Sequence, residues 1–252
     1  MKTLVDIGLL FRRYSLQMLR NPVWLFVGFS TPVLYLALFT PLLEKFAPVI
    51  GVHGSVLELF LPGILCLLAF ASGIGMGFST IFELQAGVIE RFRVTPASRF
   101  ALLIGPILSG LTMMMVFDAV VVAIGVGVGF KVHWLGLAAL AVVLGLLAAL
   151  MAAFSTATAL ITKDISSFAA IINGINLPIL LLAGVLLPIS IGPLWMRVLA
   201  HFNPLYYAVQ ASRALATGTF GAPAVWQAFA VLVPLCALVV TWATRVFRKA
   251  VA

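Results

Sequence analysis

The sequence predicts an all-α polytopic membrane protein, and three observations carry that prediction. Of 252 residues, 63% are hydrophobic and only 9% are charged, whereas a soluble domain is about 45–50% apolar and about 25% charged. Too little polar surface remains to cover a water-facing globule, so a soluble enzyme is excluded. Intrinsic disorder goes with it, because a disordered chain needs low hydrophobicity and high net charge. The Val/Leu/Ala runs are continuous rather than alternating, which argues for helices and against a β-barrel. Six of these runs reach the length of about 20 residues that a helix needs to cross hydrocarbon.

Residues 1–21 come first. Lys2, Asp6, Arg13, Gln17 and Arg20 recur at helical spacing, with Leu4, Phe11, Tyr14 and Met18 on another side and Leu9 and Leu10 blurring the stripe. This is an interfacial helix, expected in the headgroup plane with its cations toward anionic lipid. Pro22 ends it, since proline lacks a donor and disfavours helix in the residue before it. The first span is expected at 23–43. It exceeds the apolar core of about 7–15 residues found in signal peptides, and no small-x-small cleavage site follows, so it reads as a retained span. A polar loop at 44–58 leads to further spans at 59–81, 100–129, 134–161, 166–187 and 224–244. A charged stretch at 83–99 separates the second and third spans, and 83–97 is long enough for a helix of its own before Pro96 stops it. The segment 188–218 is rich in proline and glycine, and its apolar pieces are too short to cross. Irregular backbone at membrane depth is tolerated only where protein or water covers it. That segment is therefore expected to be a re-entrant helical hairpin dipping in from the outer face, or an interfacial aromatic belt with a polar cap.

Orientation follows from the cations. With a cytoplasmic N-terminus, the inner segments hold Lys2, Arg12, Arg13, Arg20, Arg91, Arg93, Arg99, Lys163, Arg245, Arg248 and Lys249, against Lys45, Lys131, Arg197 and Arg213 outside. The positive-inside rule then places both termini in the cytoplasm of a multi-pass cell (plasma or inner) membrane protein. The same rule accounts for the formal net charge of +8. No basic block stands outside the apolar segments, so nucleic acid is discarded as a partner. Cys66 and Cys236 fall inside apolar runs and read as buried free thiols. Gly73/Gly77 and Gly125/Gly129 are each four apart, which lets helix backbones approach closely, within the chain or against a second copy.

No catalytic constellation is visible. The chain has no G-x-x-x-x-G-K-[ST] phosphate loop and no H-E-x-x-H, and His53, His133 and His201 stand in separate loops without carboxylate or cysteine neighbours at metal-ligand spacing. What stands out instead is 82–99, where Phe82, Val88, Ile89 and Phe92 interleave with Glu83, Glu90, Arg91 and Arg93. A helix that merely joined two spans through water would not need those apolar residues, so the segment is expected to insert into something. The arginines taken alone would equally satisfy the positive-inside rule. Asp118 lies near the middle of the third span, where a carboxylate costs about 2.5–3.5 kcal/mol. It would contact substrate, pair with a cation across an interface, or stay protonated on a neighbouring hydroxyl. Asn173, Asn176 and Pro178 mark a kinked, partly polar fifth span that either lines a path or packs through interhelical hydrogen bonds.

The segment ending Thr95-Pro96-Ala97-Ser98-Arg99 resembles the cytoplasmic loop of type-2 ABC transporter permeases, in which a Glu-rich helix precedes a Thr-Pro-x-Ser-Arg ending. The stretch Phe202-Asn203-Pro204-Leu205-Tyr206-Tyr207 through Arg213 is similar to the family's segment before the last span, although Gln210 and Ala211 stand where an acidic residue is frequent. The departure puts a charge-pair role for Arg213 in question. The resemblance covers the whole chain, nearest the antibiotic- and drug-resistance exporters. It implies a permease subunit, not itself an enzyme, that works with a separate ABC ATPase subunit and a second permease copy in the lipid bilayer. No cofactor would be bound directly, ATP and Mg being held by the partner. It further implies that Glu83, Gly87, Glu90, Arg91 and Arg93 form a coupling helix against the ATPase. Asp118, Asn173 and Asn176 would flank the substrate path, and Phe202, Asn203, Pro204, Tyr206, Tyr207 and Arg213 an outer gate. The cargo would be hydrophobic or amphipathic, a drug, antibiotic or lipid-like molecule, with polysaccharide or lipo-oligosaccharide export as an alternative. From another class, an ion-coupled secondary transporter would usually show internal repeats and intramembrane ionisable pairs; no convincing repeat appears, and only Asp118 is a clear ionisable candidate.

Overall fold

A backbone immersed in hydrocarbon must satisfy its own N–H and C=O groups, and this chain does so with helices. The structure, a computed structural model, describes residues 2–50, 56–88, 99–185, 189 and 192–251. In chain order the helices are α1 (Lys2–Leu19), α2 (Pro22–Ile50), α3 (Val56–Gln85), α4 (Arg99–Gly127), α5 (Trp134–Thr162), α6 (Ile165–Ala183), α7 (Leu194–Ala200), α8 (Pro204–Ala216) and α9 (Pro223–Val251). Five of them, α3, α4, α5, α6 and α9, are long and apolar enough to cross a membrane, and within α2 the apolar stretch is Leu25–Leu38. Five such helices therefore stand where the sequence leads one to expect six spans.

Several boundaries differ from the sequence reading for local reasons. The helix of α2 continues through Ile50, over much of the expected polar loop. At its other end α3 runs on to Gln85, so Glu83 lies in the last turn of this long helix rather than opening a helix at 83–97. A turn at Ala86–Gly87 follows, with Gly87 in the left-handed region at φ 66° that only glycine adopts without strain. Gly184, left-handed at φ 69°, caps α6 at Ala183, short of the expected 187. Pro22 does begin a new helix, immediately after Asn21.

Contacts along α3 fix the relative directions of its neighbours. A methyl on Gly73 would sit 2.8 Å from the Ala148 carbonyl, and one on Gly77 would sit 2.8 Å from the Ser155 carbonyl. Both numbers rise together, so α3 and α5 run parallel. Gly77 also faces Phe168, while Gly63 faces the Val185 carbonyl, so α6 runs antiparallel to α3. On α4, Gly110 faces Met76 and Gly125 faces Leu61, which is antiparallel again. Helices α3, α4, α5 and α6 therefore alternate in direction along the chain. Ser155 strengthens the α3–α5 crossing by donating to the Gly73 carbonyl at 2.7 Å. Between apolar helices in lipid, such close packing and hydrogen bonding replace the hydrophobic drive. Of the two glycine pairs, Gly73/Gly77 forms one packing face. Gly125/Gly129 does not: Gly125 packs on Leu61, whereas Gly129 supplies a φ of 110° in the turn after α4.

The first helix shows three faces. Leu10 and Tyr14 are buried on the bundle with Ala101, Ile107, Ala152, Leu160 and Phe247, and Leu10 seats against Gly105. Ser15 and Ser109 hydroxyls lie 2.9 Å apart. Leu9 and Leu16 are exposed on a second face, and Asp6, Arg13 and Gln17 occupy a third. Leu10 thus belongs to the core stripe and Leu9 to an outward apolar stripe, which resolves why the two blur the pattern in sequence. Because Phe247 of α9 joins the Leu10–Tyr14 cluster, α1 and the end of α9 share one end of the bundle.

Candidate functional site

Polar side chains gather at the two ends of α3. Leu59 and Glu83 are 24 positions apart on that helix, or about 36 Å at 1.5 Å per residue.

At the Glu83 end, the Tyr14 hydroxyl of α1 donates to the Glu83 carboxylate. The Arg13 guanidinium lies 5.5 Å from the centre of the Tyr14 ring and is also close enough to act on Glu83. Burial first, and the neighbouring Glu83 charge second, push the Tyr14 phenol above its ordinary value. Glu83 therefore faces α1, while its neighbour Phe82 is exposed. Of the expected coupling residues, Gly87 makes the turn, and Glu90, Arg91 and Arg93 lie outside the described residues.

At the Leu59 end, the Asn203 side chain caps α8 by accepting from the Leu205 N–H at 3.0 Å, and its amide donates to the Ile179 carbonyl of α6 at 2.7 Å. Pro204 follows at the first helical position, where its missing N–H costs nothing. These two residues fix the start of α8. Arg213, buried at 9% exposure, donates from Nε to the Leu59 carbonyl at 3.1 Å and from Nη2 to the Gly184 and Val185 carbonyls at 2.7 and 3.2 Å. The missing acid at 210–211 is thereby explained. The charge is met by one main-chain carbonyl of α3 and by two just past the C-terminus of α6, where the helix dipole favours a cation. Beside Arg213 lies a cavity of ≈ 410 Å³ whose wall includes Tyr206, Tyr207, His201 and Gln210. Tyr207 donates to the His201 carbonyl at 3.0 Å, and the two tyrosine rings meet edge-on with centres 5.4 Å apart. Phe202 stands outside this group, 83% exposed.

The residues expected along the path stand on two helices, Asp118 on α4 and the two asparagines on α6. Asp118 of α4 is buried, and neither carboxylate oxygen has a partner among the described residues. It lies within electrostatic range of Cys66, whose thiol is 3.1 Å from the Ser212 hydroxyl. Asn173 and Asn176 sit on α6, which packs on α8, α5, α7 and α3; α4 packs on α1, α3, α5, α2 and α9, so the two helices share α3 and α5 as neighbours. Asn173 is exposed, and the Asn176 Oδ1 is buried without a partner among the described residues. At the α5–α6 turn, exposed Asp164 caps α6. Its carboxylate accepts from the Ser166 hydroxyl and from the Ser167 N–H at 2.8 Å, which holds it down at about 2.

Sequence reasoning missed the Tyr14–Glu83 bond and the cavity residues Gln210 and His201. Tyr206, Gln210 and Arg213 follow one another at i, i+4 and i+7, a spacing that puts them on one helical face and was available as a signal. The tyrosine–glutamate bond joins residues 69 apart and leaves no local trace.

Such a chain, with several helices long and apolar enough to cross a membrane, is a polytopic α-helical membrane protein. Among its described residues no cluster of His, Cys, Asp or Glu could hold a metal. Residues 5–216 match the family model described as ABC-2 type transporter, and the chain belongs to that family. Membership makes it a membrane subunit and implies partnership with a separate ABC ATPase subunit. It is 31% identical over 83% of its length to 73% of a chain from Cyanophora paradoxa named as a transport permease, ycf38. A ycf38 chain from Porphyra purpurea is 25% identical over 85% of this chain and 75% of its own. A third relative, from Streptomyces coeruleorubidus, is named daunorubicin resistance ABC transporter permease protein DrrB1; it is 26% identical over 90% of this chain and 79% of its own.

Proposed function

We propose that this chain is the permease subunit of an ATP-driven exporter that carries a hydrophobic or amphipathic molecule out of the cell. The observation that carries the reading is the family match over 5–216, which runs unbroken across both the charged stretch 83–99 and the 202–213 segment. The relative named for daunorubicin resistance favours a drug or antibiotic as cargo. In this reading α2, 29 residues and about 44 Å long, is the sixth span, both termini are cytoplasmic, and ATP and Mg are held by the ATPase partner. The charged stretch beginning at Glu83 is the coupling element, and the bond from Tyr14 links it to α1. Two copies form the route. Support for the second copy comes from α6, where exposed Asn173 and the unpartnered Asn176 Oδ1 lie on a helix most of whose residues are exposed. Asp118 and these asparagines flank the path, and the helical pair α7–α8 closes its outer end.

The test is export from cells or vesicles expressing the chain with its ATPase. Depleting ATP while clamping the ion gradients should stop export, and Glu83→Lys with Glu90→Lys should leave ATP hydrolysis running but uncoupled. Transport by the purified chain alone, or normal coupling in the double variant, defeats the proposal.

A further inference from the structure

The cavity beside Arg213 has a chemical character that the export reading does not use. Among the described residues its wall holds two guanidinium groups, Arg213 and Arg197, and no aspartate or glutamate, so a cationic guest is repelled. Both guanidiniums are already engaged, and an oxyanion finds no open fork. Arg213 spends Nε and Nη2 on three carbonyls. Arg197 donates from Nε to the Gly192 carbonyl at 3.0 Å and is engaged further. What the wall leaves open is neutral. The Tyr206 hydroxyl and the Gln210 and Gln227 amides have no hydrogen-bond partner among the described residues. His201 bonds the Arg197 carbonyl through Nδ1 at 2.7 Å, so that nitrogen carries the proton and Nε2 of the neutral ring accepts. One side of the wall is aromatic, with the centre of the Tyr206 ring 5.4 Å from those of His201 and Tyr207. Leu59, Ile189 and Ala224 add aliphatic surface. Trp195, Phe202 and Trp226, each one or two residues from a wall residue, are exposed. Exposed aromatic side chains of this kind mark the headgroup level of a bilayer.

We propose that this cavity binds an uncharged glycosyl group, either the sugar head of a lipid-like amphipath or a free sugar. Each sugar hydroxyl both donates and accepts hydrogen bonds. Two amides and a phenol offer both roles in return, and the imidazole accepts. The C–H face of the sugar ring packs on the aromatic side of the wall. The volume of ≈ 410 Å³ lies within the range of about 300–1,000 Å³ found for small-molecule sites. Gln210 belongs to α8 and Gln227 to α9, so a guest held by both amides bridges the two helices. Binding needs neither ATP nor the ATPase, so the site stands or falls independently of the export reading.

The purified full-length chain in a polyoxyethylene detergent, which carries no sugar, is melted at constant ionic strength with each of four probes: glucosyl dioctanoylglycerol, dioctanoylglycerol, dioctanoyl phosphatidate and methyl glucoside. The glucosyl lipid should raise the melting temperature saturably, since a ligand that binds only the folded state stabilises it by mass action. Dioctanoylglycerol and phosphatidate should not. Gln227→Leu changes an exposed side chain and Gln210→Leu a half-buried one, so the unliganded variants should melt like the parent. Each removes hydrogen bonds to the guest, and the apparent affinity for the glucosyl lipid should fall at least about threefold in Gln227→Leu and about tenfold in the double variant. If the double variant fails to fold, Gln227→Leu decides alone. Arg213 is left intact because it also holds three carbonyls. A saturable shift with methyl glucoside equal to that with the glucosyl lipid supports the site and assigns its source to the free sugar. A shift with the glucosyl lipid only assigns it to the amphipath. An equal shift with dioctanoylglycerol or phosphatidate, an undiminished effect of the glucosyl lipid in the variants, or no shift at all overturns the proposal.

Discussion

Helices α5 and α6 follow one another across a two-residue turn and are both apolar enough to cross a membrane, yet they are built into the protein in opposite ways. Along α5 more than half of the residues are buried, many of them small: Ala148, Ala152, Ala153, Ser155, Ala157 and Ala159. Along α6 the buried residues are Phe168, Ile172 and Ala183, while Ile171, Ile175, Leu177 and Leu181 are exposed. Small side chains allow α3 and α9 to close on α5, whereas the bulky outward residues of α6 present a surface to lipid or to another subunit. Hydropathy says that a helix belongs in the bilayer, and side-chain size says what it will touch there.

Size substitutions break this contrast most directly. Gly77→Leu would drive a side chain into the Ser155 carbonyl and Phe168 and should cost about 3 kcal/mol, whereas Gly174→Leu on α6, where a Cβ meets nothing within 4 Å, should melt like the parent. Equal damage from the two would show that α6 is packed after all. Removing the guanidinium that ties the end of α6 to α3 comes next. Arg213→Leu strands three carbonyls and should destabilise by about 2 kcal/mol or more, with Arg213→Lys recovering part, as read by thermal melting. On the packed side, Tyr14→Phe keeps the ring but loses the donor to Glu83, at about 1 kcal/mol. Because the Tyr14 phenol is raised in the folded state, its contribution is whole below about pH 10 and declines as the pH climbs further. The phenylalanine variant should lack that decline.

The smallest expected effect concerns the start of α6. Asp164 is held at about 2 against an ordinary 3.8, a lowered carboxylate, so its cap is complete above about pH 4 and weakens as the pH falls through about 2. Amide exchange at Ser167 should report that loss. Asp164→Asn, an equally good cap, should flatten the dependence without abolishing protection.

Much of this architecture is legible in the amino-acid sequence. Continuous apolar runs mark the spans, the Gly73/Gly77 spacing marks a packing face, and Asn203-Pro204 carries the cap and first position of α8. Other features are not legible there. The partners of Arg213 are main-chain carbonyls, which have no letter in a sequence, so the residue pattern points only to an acid that is not there. The extra length of α2 escapes because Glu44 and Lys45 interrupt an apolar run without breaking a helix. Gly125/Gly129 has the same spacing as Gly73/Gly77, but a helix that ends between the two members cannot present them on one face. Asp118, Asn173 and Asn176 group together because each is polar in an apolar span, and polarity carries no information about which helices adjoin.

The fastening of α8 by Arg213 has a mechanical corollary. One end of α3 is tied to α1 through Tyr14 and Glu83, and the other is tied through the Leu59 carbonyl to Arg213 of α8. Seen this way α3 is a lever about 36 Å long with a load at each tip. A tilt of about 5° would carry the far tip by about 3 Å over that length, so a small displacement at the α1 end would be felt by α8 at the other.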